Sequence, residues 1–324
     1  MNVDKNLSPN VNTHGGPNGD SNANASASAS LSLSPSANLS ANTNSNADRR
    51  VSLIERSFLF VPGDRPERFA KAVATGAHTV VLDLEDAVAP NAKAQARSAI
   101  NDWLAQGQAA MVRINAADTE WYADDLALLR AHPHAGVMLP KADVATLTRT
   151  VQALPGQRTV ALLETVNGYM DLAALVRVPG VERIAFGSID FSTESGIADE
   201  GEAMTALRVQ IVLASLHAGL AAPIDGVSVE FSDEDAMRAN ALRSRQLGFG
   251  GKLCIHPRQV VPVNAAYLPT SAEVDWAHRV IAASDAAQGA ATSVDGKMID
   301  KPVVTRAQHI LAQAQLGRAE SNRA

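Results

Sequence analysis

The sequence predicts a (β/α)8 TIM barrel followed by a C-terminal helical extension. Eight short apolar runs alternate with helical patterns over roughly 200 residues. A charged residue stands close behind each run, as expected at the carboxyl-terminal face of such a barrel. No glycine-rich phosphate loop follows the first run, where the chain reads PGDRPERF, so an open doubly wound sheet is the lesser alternative.

The chain of 324 residues suits one large α/β domain or two small ones. A hydrophobic content of 46% is ample for a core, and with aromatics at only 4% that core is built from Ala, Val, Leu and Ile. The net charge of −6 argues against general nucleic-acid binding but leaves room for a local basic pocket. The single cysteine, Cys254, excludes an intrachain disulfide and points to a reducing, cytoplasmic setting. No apolar run is long enough to span a bilayer.

In order, residues 1–50 are a Ser-, Asn- and Ala-rich tail (NANASASASLSLSPSANLSANTNSNADRR) with too few large apolar residues to offset ordering entropy, and it reads as disordered. It lacks the basic start and continuous apolar stretch of a signal peptide. The barrel is expected over 51–268 and the extension over 269–324. Run one, 57–61 (SFLFV), is closed by PGD, and a helix over 65–75 follows with Pro66 near its first turn, where a missing N–H costs little. Run two, 79–84 (TVVLDL), leads to Glu85, Asp86 and a helix over 91–104. Run three, 110–114 (AMVRI), carries Arg113 and precedes a short helix over 124–131. Run four, 136–139 (GVML), ends in Pro140 and Lys141, and Asp143 is a natural cap for a helix over 143–153.

Runs five and six, 160–163 and 183–187, flank a helical pattern over 167–178 and are followed by Glu164 and Asp190. A helix over 202–219 stops at Gly219. Run seven is 224–229 (IDGVSV), the next helix 233–247, and run eight 252–255 (KLCI), closed by His256 and Pro257. Two further helices, 271–287 and 301–315, flank DGKMIDKP and exceed what a barrel needs.

The rim so defined collects Arg65, Glu85, Asp86, Arg113, Lys141, Glu164, Asp190, Glu230 and His256. If runs five and six are neighbouring parallel strands, Glu164 and Asp190 emerge at one sheet edge as two hard oxygen ligands suited to Mg²⁺. Two solvated loop carboxylates are the alternative. Cys254 reads as a small buried hydrophobe and His256 as a turn residue, because a hard-oxygen site has little use for imidazole.

The ordered set SFLFVPGDRPERFAKA, VVLDLEDAVAPNAKAQAR, VRINAADT, VMLPKAD, ALLETVNG, FGSIDFS, GFGGKLCIHPRQV and DGKMIDKPV resembles the citrate lyase β-subunit-like branch of the HpcH/HpaI aldolase/citrate lyase family, over about residues 55–310. The resemblance implies a TIM barrel and Mg²⁺ dependence, with Mn²⁺ as a substitute. It implies cleavage of carbon–carbon bonds in acyl-CoA thioesters, with homotrimeric or hexameric assembly in which one copy's C-terminal segment covers a neighbour's active site. Glu164 and Asp190 match the family's metal ligands and Arg113 its substrate arginine. Glu85 and Asp86 match a motif that would orient water on the ion, or Arg113.

Lys141 is expected to support this acidic cluster and contact substrate, without forming a Schiff base. Asp300 matches an aspartate that serves as general acid/base on the acyl α-carbon, yet it also suits the cap of the helix starting near Lys301. CoA phosphates need cations, for which Arg65, with Arg68 and Lys71, stands near a helix N-terminus. The expected reaction splits a 3-hydroxy-3-carboxyacyl-CoA, of malyl, citramalyl or citryl type, into an acyl-CoA and a keto acid. An aldolase on free hydroxy-keto acids, a malyl-CoA thioesterase and a non-catalytic citrate lyase subunit are the alternatives.

Overall fold

A computed structural model describes residues 55–321, so the expected disordered tail lies outside the described residues. Eight parallel strands close on themselves in sequence order: β1 (Ser57–Pro62), β2 (Thr79–Asp83), β3 (Met111–Arg113), β4 (Gly136–Leu139), β5 (Thr159–Leu163), β6 (Val181–Phe186), β7 (Ile224–Asp225) and β8 (Gly251–Cys254), with β8 pairing back onto β1. The strands read as continuous apolar runs because both faces are buried. Phe58, Val81, Met111, Met138, Val160, Leu162, Ala185, Ile224 and Leu253 fill the interior. Their neighbours Leu59, Leu82, Val112, Val137, Ala161 and Ile184 point outward into a larger layer shared with the helices. This alternation, at a period of two, fixes which residues reach the centre.

The surrounding helices are α1 (Phe69–Val73), α2 (Lys93–Ala105), α3 (Tyr122–Ala131), α4 (Val144–Ala153), α5 (Val166–Met170), α6 (Leu172–Leu175), α7 (Ser188–Ser195), α8 (Glu202–His217), α9 (Glu234–Gln246) and α10 (Val260–Ala266). Asp143 caps α4 through a bond from the Thr146 N–H at 2.8 Å, as its position predicts. The helix expected over 65–75 is a 3-10 turn, Pro66–Arg68, that runs into the short α1. The helix expected over 167–178 breaks at Asp171, whose backbone (ψ 12°) leaves the helical region between α5 and α6.

Run seven is shorter than expected. Pairing stops at Asp225 because side chains take the carbonyls beyond it. Lys252 Nζ donates to Gly226 O at 2.6 Å, and Gln259 Nε2 donates to Ser228 O and Glu230 O at 2.6 and 2.9 Å.

Past the barrel, α11 (Ser271–Ala286) and α12 (Lys301–Ser321) pack together with a hairpin of β9 (Thr292–Val294) and β10 (Lys297–Ile299). The hairpin turns on Asp295 and Gly296, with φ of 52° and 73°, the left-handed pair a two-residue turn requires. Ala277, Val280, Ile299, Ala307 and Ile310 form a core separate from the barrel's. Arg245 of α9 ties the extension to the barrel, reaching Leu268 O and the Glu273 carboxylate, each at 3.1 Å. Among the described residues no helix is long and apolar enough to cross a membrane.

Candidate active site

The chemistry gathers where β2 to β6 end. Asp83, the last residue of β2, is fully buried, and its pairing with Arg113 across the ladder sets the two side chains side by side. The guanidinium makes a two-pronged bond to that carboxylate: Nε donates to Oδ1 and Nη2 to Oδ2, both at 2.7 Å. Its third nitrogen, Nη1, lies 2.9 Å from Glu85 Oε2, near enough for an ion pair but out of line for a hydrogen bond. Phe60 lies under the guanidinium at 4.8 Å. Burial works against the charge of Arg113, but bonds and attraction from Asp83 and Glu85 hold its pKa above the ordinary value.

Lys141 closes the other side of this cluster. Its Nζ donates to Glu85 Oε1 at 2.9 Å, while its backbone N–H donates to Glu164 Oε1 at 2.8 Å. That double reach needs φ of 48°, a left-handed backbone that side-chain-bearing residues rarely adopt and that clusters at functional sites. Glu164, the first residue past β5, is buried. Burial first, then the nearby Glu85 and Asp190, push its carboxyl up to about 8. Gly187 leaves the space it occupies: a Cβ there would stand 2.7 Å from Glu164 Oε2. Burial raises Glu85 too, although Arg113 and Lys141 pull it down.

Asp190 lies in the first turn of α7 rather than at a strand end, and it is exposed. Asp86 is exposed and reaches Arg113 only at 3.8 Å, so Glu85 alone of that pair is built into the cluster. Arg65 stands apart, exposed at the end of β1, its nearest carboxylate being the adjacent Asp64 at 3.9 Å. Asp300 is exposed and caps α12, accepting from the Val303 N–H at 3.3 Å. Glu230 turns away from the cluster to hold its own loop, accepting from Ser232 and Asp233, which keep its carboxyl down at about 2. His256 accepts from the Arg258 N–H and stacks on Phe231, fixing the turn after β8. Cys254 is buried, which pushes its thiol up to about 12. The residue that the sequence reading misses is Asp83, signalled only by a carboxylate inside an otherwise apolar strand.

Does this donor set fit a divalent cation? Among the described residues no three of His, Cys, Asp and Glu converge as a full ligand cage. Mg²⁺ needs none, since it is held by one or two carboxylates and keeps waters or substrate oxygens. Three buried carboxylates, Asp83, Glu85 and Glu164, face Arg113 and Lys141, with Asp86 and Asp190 at the edge and the Lys93 ammonium behind, held on backbone carbonyls. The buried Glu85 Oε2 lacks a hydrogen bond, and burial, reinforced by Glu85 and Asp190, holds the Glu164 carboxyl up at about 8. A buried carboxylate with no cation of its own and the hard oxygens around it fit a divalent cation, which Glu164 and Asp190 would hold.

A closed parallel barrel with an acid-rich mouth at its carboxyl-terminal face, crossed by one arginine, has its charged cluster where (β/α)8-barrel enzymes carry their active sites. Residues 56–257 match the HpcH/HpaI aldolase/citrate lyase family, and the chain belongs to that family. A citrate lyase subunit beta-like protein of Mycobacterium tuberculosis is 36% identical over 79% of this chain and 94% of its own length. A (3S)-malyl-CoA thioesterase of Cereibacter sphaeroides is 34% identical over 80% and 94%. Among solved structures, CitE from Mycobacterium tuberculosis in complex with magnesium, acetoacetate and coenzyme A superposes with a TM-score of 0.71 at 35% identity, covering 80% of this chain and 98% of that one.

Proposed function

We propose that the protein is a Mg²⁺-dependent carbon–carbon lyase that cleaves a 3-hydroxy-3-carboxyacyl-CoA into an acyl-CoA and a keto acid. The observation that carries this reading is the buried carboxylate of Glu164 beside the Asp83–Arg113–Glu85 cluster. Glu164 and Asp190 would hold the ion, with Mn²⁺ as a substitute. When bound, the ion supplies Lewis-acid chemistry toward the substrate hydroxyl and carboxylate.

Arg113, fixed by Asp83, presents its guanidinium to the keto-acid end and stabilises the oxyanion charge that develops as the bond breaks. Lys141 and Glu85 hold that arginine and Glu164 in register. The hydroxyl proton passes to water as the carbon–carbon bond breaks, giving the keto acid and a CoA enolate. Asp300 from a neighbouring copy, exposed and in its acid form, gives its proton to the enolate carbon and regains one from water, and in reverse it removes that proton. Its cap bond at 3.3 Å occupies one carboxylate oxygen and is compatible with this role. The assembly is a homotrimer or hexamer whose extensions cover neighbouring barrel mouths. Arg65 contributes to the CoA phosphates, Asp86 tunes Arg113 from the rim, and the setting is cytoplasmic.

A second reading is favoured by the malyl-CoA thioesterase relative: hydrolysis of the thioester in the same pocket. A Mg²⁺-dependent screen over malyl-, citramalyl- and citryl-CoA separates the two. The lyase reading expects keto acid with no free thiol. Free thiol without keto acid supports hydrolysis, and no product from any ester, with or without metal, sinks both.

A further inference from the structure

Lys93, the first residue of α2, is buried, and its ammonium does not meet a carboxylate. Nζ donates to Leu84 O at 2.6 Å and to Glu85 O at 2.8 Å, and lies 4.9 Å from the centre of the Trp121 ring. Among the described residues no acid stands within ion-pair distance of it. Burying an ammonium away from a carboxylate is costly, and here the two carbonyls and the aromatic face offset that cost, which ties the charge to the backbone it holds. Burial holds its pKa below the ordinary lysine range, with Asp83 and Glu85 pulling it back.

The two carbonyls belong to the segment that leaves β2 and carries Glu85, whose side chain stands between Arg113 Nη1 and Lys141 Nζ. One helical turn on, Arg97 Nε donates to Asp125 Oδ1 at 2.9 Å. Asp125 Oδ2 accepts from the backbone and side chain of Asn115, two residues after Arg113. The first turns of α2 thus bracket the two rim segments that bear Glu85 and Arg113.

We infer that Lys93 is a positioning residue for the active site: its ammonium fixes the backbone of Leu84 and Glu85, and through it sets the Glu85 carboxylate between Arg113 and Lys141. The inference rests on the proposed lyase reading for its kinetic form, and its geometry stands without it. Nothing in the chemistry requires Lys93 to touch substrate, so its effect should vanish when Glu85 can no longer act.

A double-mutant cycle on the full chain tests this. Lys93→Met should lower kcat about 10- to 100-fold, the scale set by misplacing a catalytic group by an ångström, with KM held within about threefold. In a Glu85→Gln background the same substitution should change kcat by less than about twofold. Trp121→Leu, which removes the ring but neither carbonyl bond, should give a smaller drop of about two- to fivefold, again absent with Glu85→Gln. It also serves if Lys93→Met is recovered unfolded. Multiplicative losses in the double variants, or a change in KM alone, would overturn the inference.

Binding of oxalate with Mg²⁺, followed by calorimetry, reads the same cycle without turnover. If the wild type cleaves no CoA ester, the lyase reading fails, and the oxalate cycle still decides the role of Lys93: non-additive weakening supports it and additive weakening refutes it.

Discussion

The two ends of the barrel are both charged, and the difference lies in how the charges are matched. At the amino-terminal end Arg158 forms bonds of 2.8 to 2.9 Å with Glu182 and pairs with both oxygens of Glu55. Arg183, buried beside it, donates to Ala222 O and Glu55 O, and desolvation lowers its pKa to about 10. Two cations there face two acids, with backbone carbonyls absorbing the remainder. At the carboxyl-terminal end Asp83 and Glu85 are paired with Arg113 and Lys141, and Lys93 sits on backbone carbonyls, but among the described residues the buried Glu164 forms no ion pair, and an oxygen of Glu85 is left without a hydrogen bond. A closed set of ion pairs holds a structure together, whereas an open one has affinity left for something else.

Substitutions at the two ends should therefore differ in kind. The largest effect is expected from Arg113→Lys, which keeps a charge but loses the planar fork on Asp83. Turnover should fall about 100- to 1,000-fold in steady-state assays while circular dichroism shows the fold retained. Asp300→Asn should reduce kcat by about 100-fold with KM little changed. Mixing those chains with Arg113→Ala chains should restore activity through hybrid sites, and an absence of rescue would show that each copy works alone.

The carboxyl of Glu164 supplies a pH dependence. With its pKa at about 8, above the ordinary carboxylate value, this group's contribution to the stability of the metal-free protein is fully present at low pH. That contribution is lost as pH rises from about 4.5 through about 8. Metal binding must displace the same proton below pH 8, so the apparent Mg²⁺ affinity should rise with pH and level off above it, with proton release measurable by calorimetry in two buffers. The smallest effect on catalysis is expected at the opposite end. Arg158→Met should lower the melting temperature, because it strands Glu55 and Glu182, yet leave the kcat of folded protein within about twofold.

Much of this contrast is legible in the sequence and some is not. The barrel is readable because fully buried parallel strands need apolar runs and polar punctuation, and Glu164 and Arg113 are readable because they break those runs. Asp83 escapes because its neighbours mark it as core, and only closure of β2 against β3 turns it toward Arg113. The bond from Lys141 to Glu164 is made by the backbone, so the identity of residue 141 carries no trace of it. Run seven misleads because side-chain donors from Lys252 and Gln259 replace the ladder, and the hairpin of the extension escapes because its strands are three residues each. Asp86 and Arg65 share motifs with buried residues but stand exposed at the rim, Asp86 3.8 Å from Arg113 and Arg65 beside Asp64, a difference that the motif alone does not carry.

The account turns on an unmatched acidic mouth that takes a divalent ion. Calorimetric titration of Mg²⁺ into the wild type, Glu164→Gln and Arg158→Met tests it most directly. Binding should be saturable in the wild type and in Arg158→Met and lost in Glu164→Gln. No binding to the wild type, or unchanged binding to Glu164→Gln, would contradict the account.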